Sequence, residues 1–112
     1  MKPEIAKLWV DALRSGDYKQ TQSKLRKGNS FCCLGVLCNL HALAHLEIAA
    51  HQKLKHEYMG QDQELPDKVR IWAGLQGSIG EIEGQLSLAE KNDGGCGFRE
   101  IADLIEKHVK TL

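Results

Sequence analysis

Phe31-Cys32-Cys33-Leu34-Gly35-Val36-Leu37-Cys38-Asn39-Leu40 is apolar almost all round, and the weakly charged run continues to Ala50 with Glu47 as its one formal charge. A helix that is apolar on every side is covered by other elements, so this stretch predicts a central helix over about residues 31–45. Twenty such residues would reach across a bilayer. Asn39, His41, His45 and Glu47 would be costly in hydrocarbon, however, so a buried helix is expected and a membrane span is not. Gly35 costs a helix about 1 kcal/mol relative to alanine, which predicts that another element crosses closely there. Asn29 or Ser30 can cap the start, and the pattern through Tyr58 is compatible with one long helix or with two.

Working outward, Pro3 and Glu4 suit a helix N-terminus, and Ile5, Leu8, Trp9, Ala12 and Leu13 form an apolar stripe that ends at Ser15-Gly16. Residues 17–30 are polar and basic and read as an extended loop or short strand. A further helix begins at Pro66-Asp67 with Val69, Trp72 and Ala73 on one face, and Trp9 and Trp72 are both expected to be buried against the central helix. Gln85-Leu86-Ser87-Leu88 alternates like a strand, and Asn92-Asp93-Gly94-Gly95 signals a turn. A last amphipathic helix turns Phe98, Ile101, Ala102, Ile105 and Val109 inward. The expected fold is mainly α. One domain over residues 1–112 holds four or five helices around the central one, with at most a short two-stranded β element from residues 18–25 and 84–90; α+β is the alternative.

At 112 residues a chain buries roughly 65% of its unfolded surface, enough for a core without metal or disulfide staples. The N-terminus interleaves charges with apolar residues and has no signal-type apolar run, so a cytoplasmic chain with free thiols is expected. Fifteen basic and fifteen acidic residues cancel, which argues against nucleic acid as partner. The balance hides an asymmetry: residues 1–56 hold nine Lys/Arg against four Asp/Glu, and residues 57–112 hold six against eleven. Pairing between the two halves would neutralise it.

Three groups could carry chemistry. Cys38, His41 and His45 have the spacing C-x2-H-x3-H, which puts them on one side of a helix; sulfur and imidazole suit zinc, with Cys96 or His56 as a fourth ligand. A second ligand pair is missing, so neither metal nor other cofactor is expected. Cys32 and Cys33 would sit in the first turn of the central helix, where unpaired N–H groups favour a thiolate, but no cysteine-hydrolase signature surrounds them. The loop with Tyr18, Lys19, Lys24, Arg26 and Lys27 precedes a helix N-terminus and offers a cradle for a phosphate or an acidic protein surface. It lacks the glycine spacing of a P-loop. These five residues are the expected binding site, and reversing Lys24 and Arg26 to glutamate is expected to weaken association.

Four segments together carry a resemblance: Trp9-Val10-Asp11-Ala12-Leu13-Arg14-Ser15-Gly16-Asp17-Tyr18-Lys19-Gln20; Phe31 through Cys38; Leu65-Pro66 with Trp72-Ala73-Gly74-Leu75; and Asn92-Asp93-Gly94 leading to Phe98 and Ile101-Ala102-Asp103-Leu104-Ile105-Glu106. In order and spacing they resemble a family of small uncharacterised bacteriophage and prophage proteins. The chain departs from that pattern in Asn39, where an aspartate is usual, and in a His-rich extension from His41 to His56. The resemblance implies a non-enzymatic accessory protein that binds a host bacterial protein, for counter-defence or host takeover, in the host cytoplasm. The alternatives are sequestration of a small anionic, nucleotide-like ligand, and a thiol- or zinc-dependent enzyme.

Overall fold

The computed structural model describes residues 1–45 and 62–112. Among these, five helices surround one cluster of buried apolar side chains, and a three-stranded sheet of two-residue strands lies at the start of the second helix. The mainly α expectation holds. The question of one helix or two through Tyr58, and the candidate ligand His56, lie outside the described residues.

Helix α1, Pro3–Arg14, opens with proline in its first turn, which fixes φ where no N–H is needed. Its buried face is Ile5, Ala6, Trp9, Val10 and Leu13, one position round from the expected stripe; Leu8 is half exposed. The i, i+1, i+4, i+5 set wins because α1 lies between two helices and needs a wider apolar face than a single stripe. At its end, Arg14 bonds Asp103 and Glu106 at 2.6 and 2.7 Å, pairing the basic half of the chain with the acidic half.

Helix α2, Cys33–Ala44, is the central helix; Cys33 through Cys38 are all buried. It starts two residues later than expected and is capped by Cys32, whose Sγ accepts from the Gly35 N–H at 3.4 Å, and not by Asn29 or Ser30. Ser30 and Phe31 are instead drawn into the sheet, where ladder hydrogen bonds outcompete a hydroxyl cap. Gly35 is where another element crosses: a Cβ there would overlap the carbonyl oxygen of Leu25.

Helix α3, Asp67–Ala73, buries Val69 and Ala73 and stops at Gly74. Trp72 is partly buried and packs against the central helix as expected, its ring edge-on to His41 of α2 at 5.2 Å and to the C-cap residue His45 at 6.2 Å. Helix α4, Leu88–Asp93, replaces the expected strand over residues 84–90. Ser87 and Glu90 form a capping box, the Ser87 hydroxyl accepting from the Glu90 N–H at 3.1 Å and the Glu90 carboxylate from the Ser87 N–H at 3.0 Å. Asn92 and Asp93 belong to its last turn, and the chain reverses only at Gly94-Gly95. Helix α5, Phe98–His108, packs Phe98, Ile101, Ala102 and Ile105 inward, mainly against α1.

The sheet also differs from expectation. Its strands are β1 (Lys19–Gln20), β2 (Arg26–Lys27) and β3 (Ser30–Phe31), in the order β1-β3-β2, with β1 parallel and β2 antiparallel to β3. All three come from the basic segment. Gly28, with φ +56°, supplies the first central residue of the two-residue β2–β3 turn, a conformation that favours glycine.

Candidate functional site

Register sorts the basic segment into two rows. Lys19 and Lys27 both lie opposite Ser30, while Gln20 and Arg26 both lie opposite Phe31. Directly opposed residues share a face of a sheet, so Lys19, Ser30 and Lys27 form one row, the two lysines separated by two strand spacings of about 10 Å in all. Both lysines are exposed, and among the described residues neither side chain has a hydrogen bond or a carboxylate partner.

The other predicted cations are committed within the chain. Arg26 donates from Nε to the Gly28 carbonyl at 2.7 Å, and its guanidinium lies 5.2 Å from the centre of the Phe31 ring. Tyr18 meets Phe31 edge to face at 5.2 Å, and its hydroxyl accepts from the Asn39 side chain at 2.7 Å. Lys24 faces Asp62 at 4.0 Å, next to Leu25, which is buried. Of the five expected residues, four fall in or beside the sheet, and two of those present an unpaired charge. Phe31 is the residue that sequence reading missed here, because its apolar neighbours assigned it to the central helix.

At the start of α2 the Cys33 and Gly35 backbone donors are engaged within the chain. The Cys33 N–H donates to the Asn92 side-chain oxygen at 3.1 Å, and Gly35 donates to Cys32. Asn92 is fully buried: the same oxygen accepts from Gln20 at 2.8 Å, and its amide donates to the Thr21 carbonyl at 2.9 Å. Gln20 also reaches the Cys96 carbonyl at 2.7 Å, and Asp93 accepts from the Ser23 N–H at 2.7 Å. This network fastens β1 and its following loop to α4, and so holds the lysine row in place. Asn92 was read as a turn residue; the Ser87-x-x-Glu90 pattern five residues before it was the signal for a helix.

Burial also decides the thiols. Cys32 is raised above the ordinary cysteine range and Cys33 and Cys38 well above it, in each case chiefly by desolvation, so all three are protonated at neutral pH. The first-turn position of Cys32 and Cys33 therefore yields no thiolate. Cys33 instead faces the Leu88 carbonyl at 3.6 Å. Cys32 borders a cavity of about 370 Å³ whose other polar walls include Ser23, Glu64, Glu90 and Asp93. Three carboxylates beside that space repel an anion.

Among the described residues no three His, Cys, Asp or Glu side chains are placed to hold a metal ion. His41 and His45 stack at 4.3 Å between ring centres, and the His45 Nδ1 lies 2.8 Å from the His41 carbonyl. His41 is buried, and desolvation, with smaller contributions from His45 and Lys68, lowers its pKa from 6.5 to about 4. The fold thus favours its neutral form. As pH falls below 6.5 the unfolded chain takes up this proton first, so stability should drop between pH 6.5 and 4 and level off below. The expected loss is on the order of 3 kcal/mol. Urea titrations across that range should show the slope, and His41→Gln should flatten it.

Among the described residues no helix is long and apolar enough to cross a membrane. The class that this fold defines is a small α-rich protein with a three-stranded sheet joined to its central helix. Residues 1–109 match the model of a family described as a domain of unknown function, DUF8296, and the chain belongs to that family. No curated protein and no solved structure matches it.

Proposed function

We propose that this chain is a non-enzymatic binding module, one domain over its length, whose Lys19–Ser30–Lys27 row docks against an acidic face of a host bacterial protein. The setting is that of a phage or prophage accessory protein acting in the host cytoplasm, in counter-defence or host takeover. The observation that carries the reading is the pair of exposed lysines held on one row of the sheet with no carboxylate partner among the described residues. Like charges held together in this way repel each other, and a complementary surface relieves that cost and steers association. The alternatives have less support. Sequestration of an anion needs a receptive pocket, and the cavity bordered by Ser23 and Cys32 has carboxylates in its walls. Thiol chemistry needs a thiolate, and burial disfavours it at Cys32, Cys33 and Cys38.

The test moves from Lys24 and Arg26, which are engaged internally, to the row itself. Host protein captured on the immobilised chain should elute as salt rises, and Lys19→Glu with Lys27→Glu should reduce capture by at least about tenfold. Exposed substitutions cost within about 0.5 kcal/mol, so thermal stability should stay near that of the parent. Equal capture by the folded double variant would remove the row from the functional surface.

A further inference from the structure

Resting on the reading above, we infer that the group taken by the lysine row is a phosphoryl group carried on a protein partner, for example a phosphoserine. The row presents two ammonium groups on flexible four-carbon stems, one on each side of the Ser30 hydroxyl. Two point charges that can converge from opposite sides suit a single dianion with several acceptor oxygens. A single carboxylate, with one charge and two oxygens, balances only one of the two ammonium charges, whereas one phosphoryl dianion balances both.

The two aromatic rings of the segment indicate which phosphoryl source fits. Phe31 belongs to the row opposite Gln20 and Arg26, and Tyr18 stands edge-on to it with its hydroxyl held by Asn39. Neither ring belongs to the lysine row as a platform for a base, and single-strand binders combine such platforms with their cations. A phosphorylated side chain needs no platform.

Amide chemical shifts of the full-length protein, followed by NMR at constant ionic strength, test the assignment with four probes: a capped phosphoserine tripeptide, its glutamate counterpart, inorganic phosphate and a twelve-residue oligothymidylate. The phosphoserine peptide should shift Lys19, Ser30 and Lys27 saturably and bind at least about tenfold more tightly at pH 7.5 than the glutamate peptide, whose single charge halves the Coulomb attraction. Lys19→Gln with Lys27→Gln should abolish those shifts and leave the rest of the spectrum in place. Equal affinity for the phosphoserine and glutamate peptides, an oligothymidylate that binds more tightly than either peptide, or phosphoserine binding that survives the double variant would each overturn the inference. So would inorganic phosphate that shifts other residues than these three. Equal affinity combined with salt-sensitive capture of the host protein through the same lysines would leave the proposed function standing and remove only the phosphoryl assignment.

Discussion

Asn92→Leu is expected to destabilise the protein by about 3–5 kcal/mol, because leucine fills a similar volume but cannot replace any of the hydrogen bonds made by the buried amide. The Cys33 N–H, the Gln20 side chain and the Thr21 carbonyl would each lose a partner inside the structure. Each buried group left unsatisfied costs about 1–3 kcal/mol, and the loss should appear as a lower urea midpoint with an unchanged slope. Asn92→Asp separates the two halves of the amide. It keeps the acceptor toward Cys33 and Gln20 but sets a second carboxylate against Asp93 and the Thr21 carbonyl. Its pKa should be raised by that neighbour and by burial, so the aspartate variant should regain stability as pH is lowered through the raised value, where the leucine variant does not. A leucine variant within about 1 kcal/mol of the parent would show that the network is not what fastens α4 to the sheet.

Trp9→Ala is expected to cost about 3–5 kcal/mol, in the range for removing a large buried aromatic side chain from a core. The indole is fully buried, and its Nε1–H donates to the Cys33 carbonyl at 2.9 Å. Trp9→Phe keeps most of the apolar body and removes that donor, and should cost about 1–2 kcal/mol. Cys33 is thus held by helix α1 at its carbonyl and by helix α4 at its N–H. Because the two contacts flank one residue, Trp9→Phe and Asn92→Leu should be non-additive by at least about 0.5 kcal/mol in a double-mutant cycle, measured by equilibrium denaturation. Strict additivity would mean that the first turn of α2 is positioned by apolar packing alone.

Much of this architecture is legible without coordinates because the hydrophobic effect acts on patterns that a linear chain displays directly. The all-round apolar run from Cys33 to Cys38 can only be interior, the 3.6-residue period of Phe98, Ile101, Ala102 and Ile105 marks one helix face, and Gly35 within such a run marks a close crossing. Pro3 and Gly74 delimit their helices through backbone chemistry that needs no tertiary partner. The basic segment was likewise visible as a concentration of like charge.

What the sequence could not assign were the features made by partners distant along the chain. Lys19, Lys24, Arg26 and Lys27 look equivalent in sequence; register and distant partners leave Lys19 and Lys27 without a carboxylate partner among the described residues, join Arg26 to Phe31 and set Lys24 4.0 Å from Asp62. Cys32 and Cys33 sit at a helix start, which by itself favours a thiolate, but the elements packed over them exclude water, and desolvation outweighs the helix terminus. Asn92 reads as a turn residue because it opens the run Asn92-Asp93-Gly94-Gly95, whose residue types favour turns. It became the buried link between α4, β1 and α2 because the unpaired N–H at the start of α2 needed an acceptor, and the tertiary structure brought one from 59 residues away. Local patterns therefore determined four of the five described helices and the inward face of α5, but not helix α4 or the full buried face of α1. The three-dimensional packing alone decided which charges remain free, since that depends on hydrogen bonds and ion pairs between residues that sequence spacing does not bring together.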